Sequence, residues 1–210
     1  MFLKEKEKLK YNFLHSQSGF DKSQLGYGRQ LELLLTSDLV FFKKIRENLN
    51  QEGKLLEIGV GAGEMTTWFL ENEIDFNSVD ISSYAVESLQ KLLNTDRIIE
   101  CSADSLTFEN DSYKTVLHLD GMEHIPKEIE VECLKQAARV SSGFIFYANA
   151  CTDAYWDHIL KVNGHDEAHI NIKTPTEWEE FYSKYEDEFN YKLINKEVVG
   201  DTVYFILEKN

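Results

Sequence analysis

Two histidine-bearing segments and one glycine-rich turn hold the side chains of this sequence that could do chemistry. The first segment, "HLDGMEHIP" over residues 118–126, places His118, Asp120, Glu123 and His124 close together. An imidazole titrates near neutral pH, so His124 suits removal of a proton from a hydroxyl. The same ring beside Asp120 and Glu123 offers donors to a divalent metal. A hydrogen-bonded place in a site wall is a third role, and the residues alone leave the three open. The second segment, "HDEAHIN" over 165–171, adds His165, Asp166, Glu167 and His169. His165 and His169 are four positions apart and would share a helix face as a metal pair, although no third ligand is set by the spacing. Contact with a substrate is the competing role, which makes His165 a substrate candidate and His169 a catalytic one. Tyr155 and Trp156, just upstream, are candidates for lining an acceptor pocket, with core packing as the alternative.

The third feature is "LLEIGVGAGEMTTWFL", residues 55–70, with glycine at 59, 61 and 63. One glycine would serve a tight strand-to-helix turn. Three at alternate positions fit a cradle in which backbone approaches a ligand closely and the free N–H groups of a helix start face it. The pattern is not G-x-G-x-x-G, because Glu64 holds the sixth position, where bulk and charge oppose a pyrophosphate. That argues against a nicotinamide-dependent oxidoreductase, the third function class open to such a sheet. No lysine follows Gly63, as a phosphate loop requires. The ligand is therefore expected to be a nucleoside without phosphates. Asp80, in "SVDIS", ends the next strand about twenty residues on, the offset at which an acid grips ribose hydroxyls. Asp104, in "CSADSL", follows the strand after that and could accept from an adenine amino group. Capping of the following turn is the structural alternative for both.

These residues need a scaffold, and the periodicity supplies one. "KLLEIG", "FNSVDI", "RIIECS", "SYKTVLHLD" and "GFIFYANA" read as short buried strands. "EMTTWFLEN", "SSYAVESLQKLLN" and "KEIEVECLKQAARV" between them read as amphipathic helices. The alternation predicts βαβ units and a mainly parallel sheet. "YKLINKEVV", "GD" and "TVYFILEK" predict a closing hairpin, hence an antiparallel strand. Before the glycine turn, "LELLLTSDLVFFKKIRENL" has helical spacing after a polar, glycine-containing stretch that reads as a loop or lid. "TPTEW" reads as a helix start, with Thr174 as cap, Pro175 first and Glu177 third. Length and this pattern divide the chain into an N-terminal helical lid or substrate region over 1–50 and a main domain over 51–210, with a substrate-loop insertion at 150–173.

The 210 residues carry a formal net charge of −15, which repels nucleic-acid backbones and anionic membranes. Three cysteines in no ligand or disulfide spacing fit a reduced, cytoplasmic protein. No apolar run approaches the ~20 residues needed to span a bilayer.

Taken in order, "LLEIGVGAG", "VDIS", "ADSLTF" and "GMEHIP" resemble the motifs of the class I S-adenosylmethionine-dependent methyltransferases. Glu57, Gly59, Gly61 and Gly63 match that family's E-x-G-x-G-x-G. The resemblance implies a Rossmann-like α/β fold, a seven-stranded sheet of order 3-2-1-4-5-7-6 with strand 7 antiparallel and helices on both faces. It implies S-adenosylmethionine as cofactor and S-adenosylhomocysteine as product. Asp80 with Ile81 would hold the ribose and Asp104 with Ser105 the adenine. Asp120 would also belong to the cofactor site, and Arg29 in "GYGRQ" would hold the cofactor carboxylate. "DGMEH" further resembles the D/E-x-x-E-H segment of ubiquinone-biosynthesis O-methyltransferases, which implies a divalent metal at Asp120, Glu123 and His124 as one option. The resulting expectation is methyl transfer to a small-molecule acceptor, with oxygen the favoured atom, His124 as general base and Glu123 and His169 beside it. The protein would act as a monomer or homodimer without nucleic-acid or membrane partners. A non-catalytic protein that binds the cofactor to regulate or scaffold a partner is the rival expectation.

Overall fold

The structure, a computed structural model, describes residues 28–49, 51–151 and 169–210. Two helices come first, α1 (Gly28–Thr36) and α2 (Val40–Leu49). An alternating unit follows: β1 (Leu55–Ile58), α3 (Glu64–Glu71), β2 (Phe76–Asp80), α4 (Ser83–Leu93), β3 (Ile98–Glu100), β4 (Tyr113–Leu119), α5 (Glu130–Val140) and β5 (Ser141–Ala150). Short 3₁₀ turns at Ala103–Ser105 and Met122–His124 follow β3 and β4. The chain closes with α6 (Pro175–Lys184), α7 (Glu186–Phe189), β6 (Tyr191–Val199) and β7 (Thr202–Lys209). The seven strands lie in the order β3-β2-β1-β4-β5-β7-β6. β7 runs antiparallel to both of its neighbours, and the pairings among β1 to β5 are parallel. This is the expected Rossmann-like sheet. The hairpin closes at Val199↔Thr202 around Gly200, whose φ is 62°.

The helices divide between the two faces of the sheet. Leu34 of α1, Phe41, Phe42 and Ile45 of α2, and Met65 and Phe69 of α3 pack with Leu55, Phe146 and Tyr204 of the strands. On the other face, Leu134 and Ala137 of α5 and Trp178 and Tyr182 of α6 meet Val116, Tyr147 and Phe205. Ala85, Val86 and Leu89 of α4 pack with Val60 and Ile98. Local signals behave as their chemistry predicts. Ser82 caps α4 by accepting from Ala85 N at 3.2 Å. Thr174 and Glu177 form a reciprocal capping box at α6, with Pro175 in the first turn.

The run 31–49 is not one helix. It breaks after Thr36, where Ser37 Oγ accepts from Leu39 N at 3.2 Å, a local bond that competes with the helix ladder. Two long-range contacts fix the break. Arg46 donates to the Leu34 and Ser37 carbonyls at 2.5 and 2.8 Å. The Glu197 carboxylate of β6 accepts from Val40 N and Phe41 N at 3.1 and 2.9 Å, which satisfies the start of α2. The helix expected over 127–140 begins at Glu130, after the turn that Pro126 opens. Among the described residues no helix is long and apolar enough to cross a membrane.

Candidate active site

In a parallel sheet the strands β3, β2, β1 and β4 end side by side, so the residues that follow them gather along one edge. Gly59, Asp80, Asp104 and Asp120 all lie there, one after each strand or at its last position. The three glycines of the turn have positive φ, but they do different work. A Cβ at Gly59, at φ 85°, would meet no atom within 4 Å, so the backbone there faces open space. A Cβ at Gly63, at φ 81°, would come within 2.5 Å of Leu89 Cδ2. Gly59 therefore has the geometry of a ligand cradle. Gly63 lets α3 begin tightly against α4, a packing role that the even spacing of the glycines conceals.

Asp80 is buried and stabilises this turn directly. Its two carboxylate oxygens accept from Val60 N at 3.0 Å and from Ser82 N at 2.8 Å. The ribose-facing and helix-capping readings of Asp80 are thus compatible, since a carboxylate has about four acceptor sites. Ile81, next in the chain, is half-buried. Behind the turn, Glu57 Oε2 accepts from the hydroxyls of Thr66 and Ser78, both at 2.5 Å. Burial pushes the Glu57 carboxyl up to about 7, against the effect of those two hydroxyls. Glu57 is therefore a buried brace between β1, β2 and α3. Asp104 is buried in its 3₁₀ turn, and its Oδ1 accepts from Ser102 Oγ at 2.5 Å, while Ser105 beside it is exposed.

Past β4 the chain turns sharply, with Asp120 at φ 50° and its N–H donating to Ala148 O at 2.7 Å. Asp120 Oδ2 accepts from Gln30 Nε2 at 2.8 Å, which ties α1 to this end of the sheet. Single-sequence reasoning did not single out Gln30, and no local spacing signals a contact between positions so far apart. Arg29 falls in the first turn of α1, with its side chain outside the described residues.

The 3₁₀ turn Met122–His124 brings the second constellation together. Glu123 is 1% exposed, and its Oε1 accepts from Ala150 N at 3.0 Å. Its Oε2 has no hydrogen-bond partner among the described residues. Burial raises its pKa, with the Ala150 amide and nearby His169 acting in the opposite direction. Asn171 N donates to Glu123 O at 3.0 Å, so the strand-like segment after the insertion runs beside this turn. That pairing places His169 over His124, with ring centroids 4.5 Å apart. One ligand atom each from Glu123, His124 and His169 lies within 4.8 Å of the others. This group differs from the expected metal set, because Asp120 is drawn toward Gln30 and His169 takes its place. His118 lies buried behind, and burial pushes its pKa down to about 3, so it stays neutral. Its Nε2 occupies the space that a Cβ at Gly121 would need, 2.2 Å away. Tyr155, Trp156 and His165 lie outside the described residues.

These features fit S-adenosylmethionine. A Cβ-free cradle at Gly59 opens beside Asp80, Asp104 is one strand further, and Gln30 and Asp120 stand on the opposite side of the turn. No phosphate-binding lysine accompanies them, as suits a nucleoside cofactor.

Comparison with known proteins agrees. Residues 55–142 match the family model described as a methyltransferase domain. The fold is similar to the PH0226 protein from Pyrococcus horikoshii OT3, with TM-score 0.66 and 17% identity over 90% of this chain and 93% of that one. It is similar to magnesium protoporphyrin IX methyltransferase from Synechocystis PCC 6803 with bound SAH, with TM-score 0.68 and 14% identity over 97% and 100%. A geranyl diphosphate methyltransferase in complex with GPP and sinefungin gives TM-score 0.59 and 13% identity over 80% and 76%. No curated protein matches the sequence. The sheet order and the glycine turn agree with this match: residues 55–142 are similar to a methyltransferase domain, set in a Rossmann-like sheet of order 3-2-1-4-5-7-6.

Proposed function

We propose that this methyltransferase acts on a hydroxyl of a small molecule and that His124 takes the hydroxyl proton. The carrying observation is the close pair His124–His169, with ring centroids 4.5 Å apart, beside buried Glu123 and one strand over from the glycine turn. The bound cofactor supplies a methyl group on a sulfonium, already activated for in-line displacement. The protein's share is to hold the acceptor oxygen in line and to receive its proton. His118 is a poor base, because burial keeps its imidazole neutral down to about pH 3. His124 is half-buried and can face an acceptor. Glu123 and His169 hold its ring and share the charge that the proton brings.

A small acceptor suits the net charge of −15, which opposes nucleic acid. It also suits the similar folds of the magnesium protoporphyrin IX and geranyl diphosphate methyltransferases. The N-terminal region 1–50 and the insertion 150–173 would frame the acceptor, with Tyr155, Trp156 and His165 as lining candidates. In the cofactor site, Asp80 and Ile81 would take the ribose, Asp104 and Ser105 the adenine, Gly59 and Gly61 the close backbone approach, and Arg29 the carboxylate. The protein would work in the cytoplasm as a monomer or homodimer.

A second reading rests on the orphaned Glu123 Oε2 among two imidazoles: one carboxylate and two histidines are a donor set for a divalent ion such as zinc. One experiment separates the two. Labelled S-adenosylmethionine is incubated with a panel of sugar, nucleotide-sugar and quinol-type hydroxyl acceptors, with and without EDTA. The base reading expects transfer to oxygen that survives EDTA. It also expects His124→Ala to lose turnover while still binding S-adenosylhomocysteine. Activity abolished by EDTA and restored by zinc would favour the metal, and full activity in His124→Ala would sink both readings.

A further inference from the structure

We propose that Gln30 recognises the α-ammonium of bound S-adenosylmethionine, acting beside Asp120. The inference rests on the assignment of this edge of the sheet to the cofactor.

Gln30 is 6% exposed, yet it stands on α1, an element outside the alternating unit. Leu34 of the same helix packs with Met65 and Phe69 of α3, the helix that starts at the glycine turn. Its Nε2 donates to Asp120 Oδ2 at 2.8 Å, at the end of β4. Gln30 therefore bridges the two elements between which a ligand lying on the glycine turn would extend away from Asp80. Ribose lies on the Asp80 side, so the amino-acid end of the cofactor points toward Asp120 and Gln30.

The orientation of the amide follows from its partner. A carboxylate accepts and does not donate, so the nitrogen of Gln30 must face Asp120. Its Oε1 then points elsewhere, and it has no hydrogen-bond partner among the described residues. A buried amide oxygen without a donor is a standing cost unless something fills the place. The group that fits is a pure donor, because Asp120 adds a negative charge alongside. An ammonium, with three N–H donors and a positive charge, meets both conditions. A carboxylate in that place would face two acceptors and be repelled. Binding of the ammonium would also fasten α1 to the cofactor.

The test uses two ligands that share the nucleoside and differ at the other end. S-adenosylhomocysteine has the amino-acid group, and 5′-methylthioadenosine lacks it. Both are titrated calorimetrically into the wild-type chain and Gln30→Met, a substitution of similar shape without hydrogen-bonding groups. The expected result is a loss of about 10- to 100-fold in affinity for S-adenosylhomocysteine, the size of a lost hydrogen bond to a charged donor. Affinity for 5′-methylthioadenosine should change less than about two-fold. Equal losses for both ligands would mean that Gln30 only shapes the turn, and no loss for either would mean that water satisfies Oε1; both results overturn the proposal. If the wild-type chain binds neither ligand, the cofactor assignment itself fails. Should Gln30→Met not fold, Gln30→Asn carries the same comparison, since the shorter side chain withdraws the oxygen.

Discussion

Replacing Glu57 by glutamine removes one ionisation from the middle of the sheet while keeping the shape of the side chain. Glu57 lies in β1 between β2 and β4 and is 6% exposed. Burial, reinforced by Asp80, lifts its carboxyl from 4.5 to about 7 despite the hydroxyls of Ser78 and Thr66. The native protein therefore retains a proton that the unfolded chain has already released. Stability falls as pH rises from 4.5 toward about 7, and the deficit is constant above that window. At about 1.4 kcal/mol per pH unit, the whole deficit is roughly 3 kcal/mol. Glutamine has no such dependence. Its amide oxygen can accept both hydroxyls, because Thr66 and Ser78 donate to the same carboxylate atom. Urea unfolding of both proteins at about pH 5 and about pH 8 isolates the effect, since any fixed cost of the swap cancels between the two conditions. The stability of Glu57→Gln relative to wild type should rise by about 2–3 kcal/mol from the lower pH to the higher. A difference that is flat with pH, or that rises toward acid, would refute the claim that burial governs this carboxyl.

Four further substitutions test the local geometry. Gly59→Ala should cost only the roughly 1–2 kcal/mol of a left-handed backbone, yet weaken S-adenosylhomocysteine binding, because the new methyl enters open space. Gly63→Ala should instead lower stability by about 2–4 kcal/mol through collision with Leu89, and urea melts together with calorimetry would expose any reversal of this pattern. Gly121→Ala should destabilise by about 1–3 kcal/mol because His118 Nε2 fills the site, and pairing it with His118→Ala should recover part of the loss; additive losses would contradict the contact. Glu197→Ala should cost about 1–2 kcal/mol by removing the acceptor for Val40 N and Phe41 N, and a melting point equal to wild type would show that water caps α2 as well.

What the amino-acid order discloses here tracks the sequence distance over which each feature is built. The glycine turn, Asp80 and the caps at Ser82 and Thr174 are local devices. The residues that make each of them stand within a few positions or one strand–helix step of each other, and periodicity with turn chemistry locates them. The break between α1 and α2 is a partial case. Ser37 carries a local signal for it, but apolar spacing runs on across the break because both helices bury residues in the same cluster, so the pattern reads as continuous. The two roles of Gly59 and Gly63 are indistinguishable by spacing, because Leu89 comes from the next helix. The contacts beyond β4 are the extreme case. His124 meets His169 because Asn171 pairs with Glu123 and Lys173 bridges to Cys151, and Gln30 meets Asp120 from a helix that precedes the sheet altogether. The glycine turn is one contiguous stretch, whereas these contacts join the end of β4 to an N-terminal helix and to the segment before α6. That is why the glycine turn can be read from a short motif while the contacts beyond β4 exist only after folding.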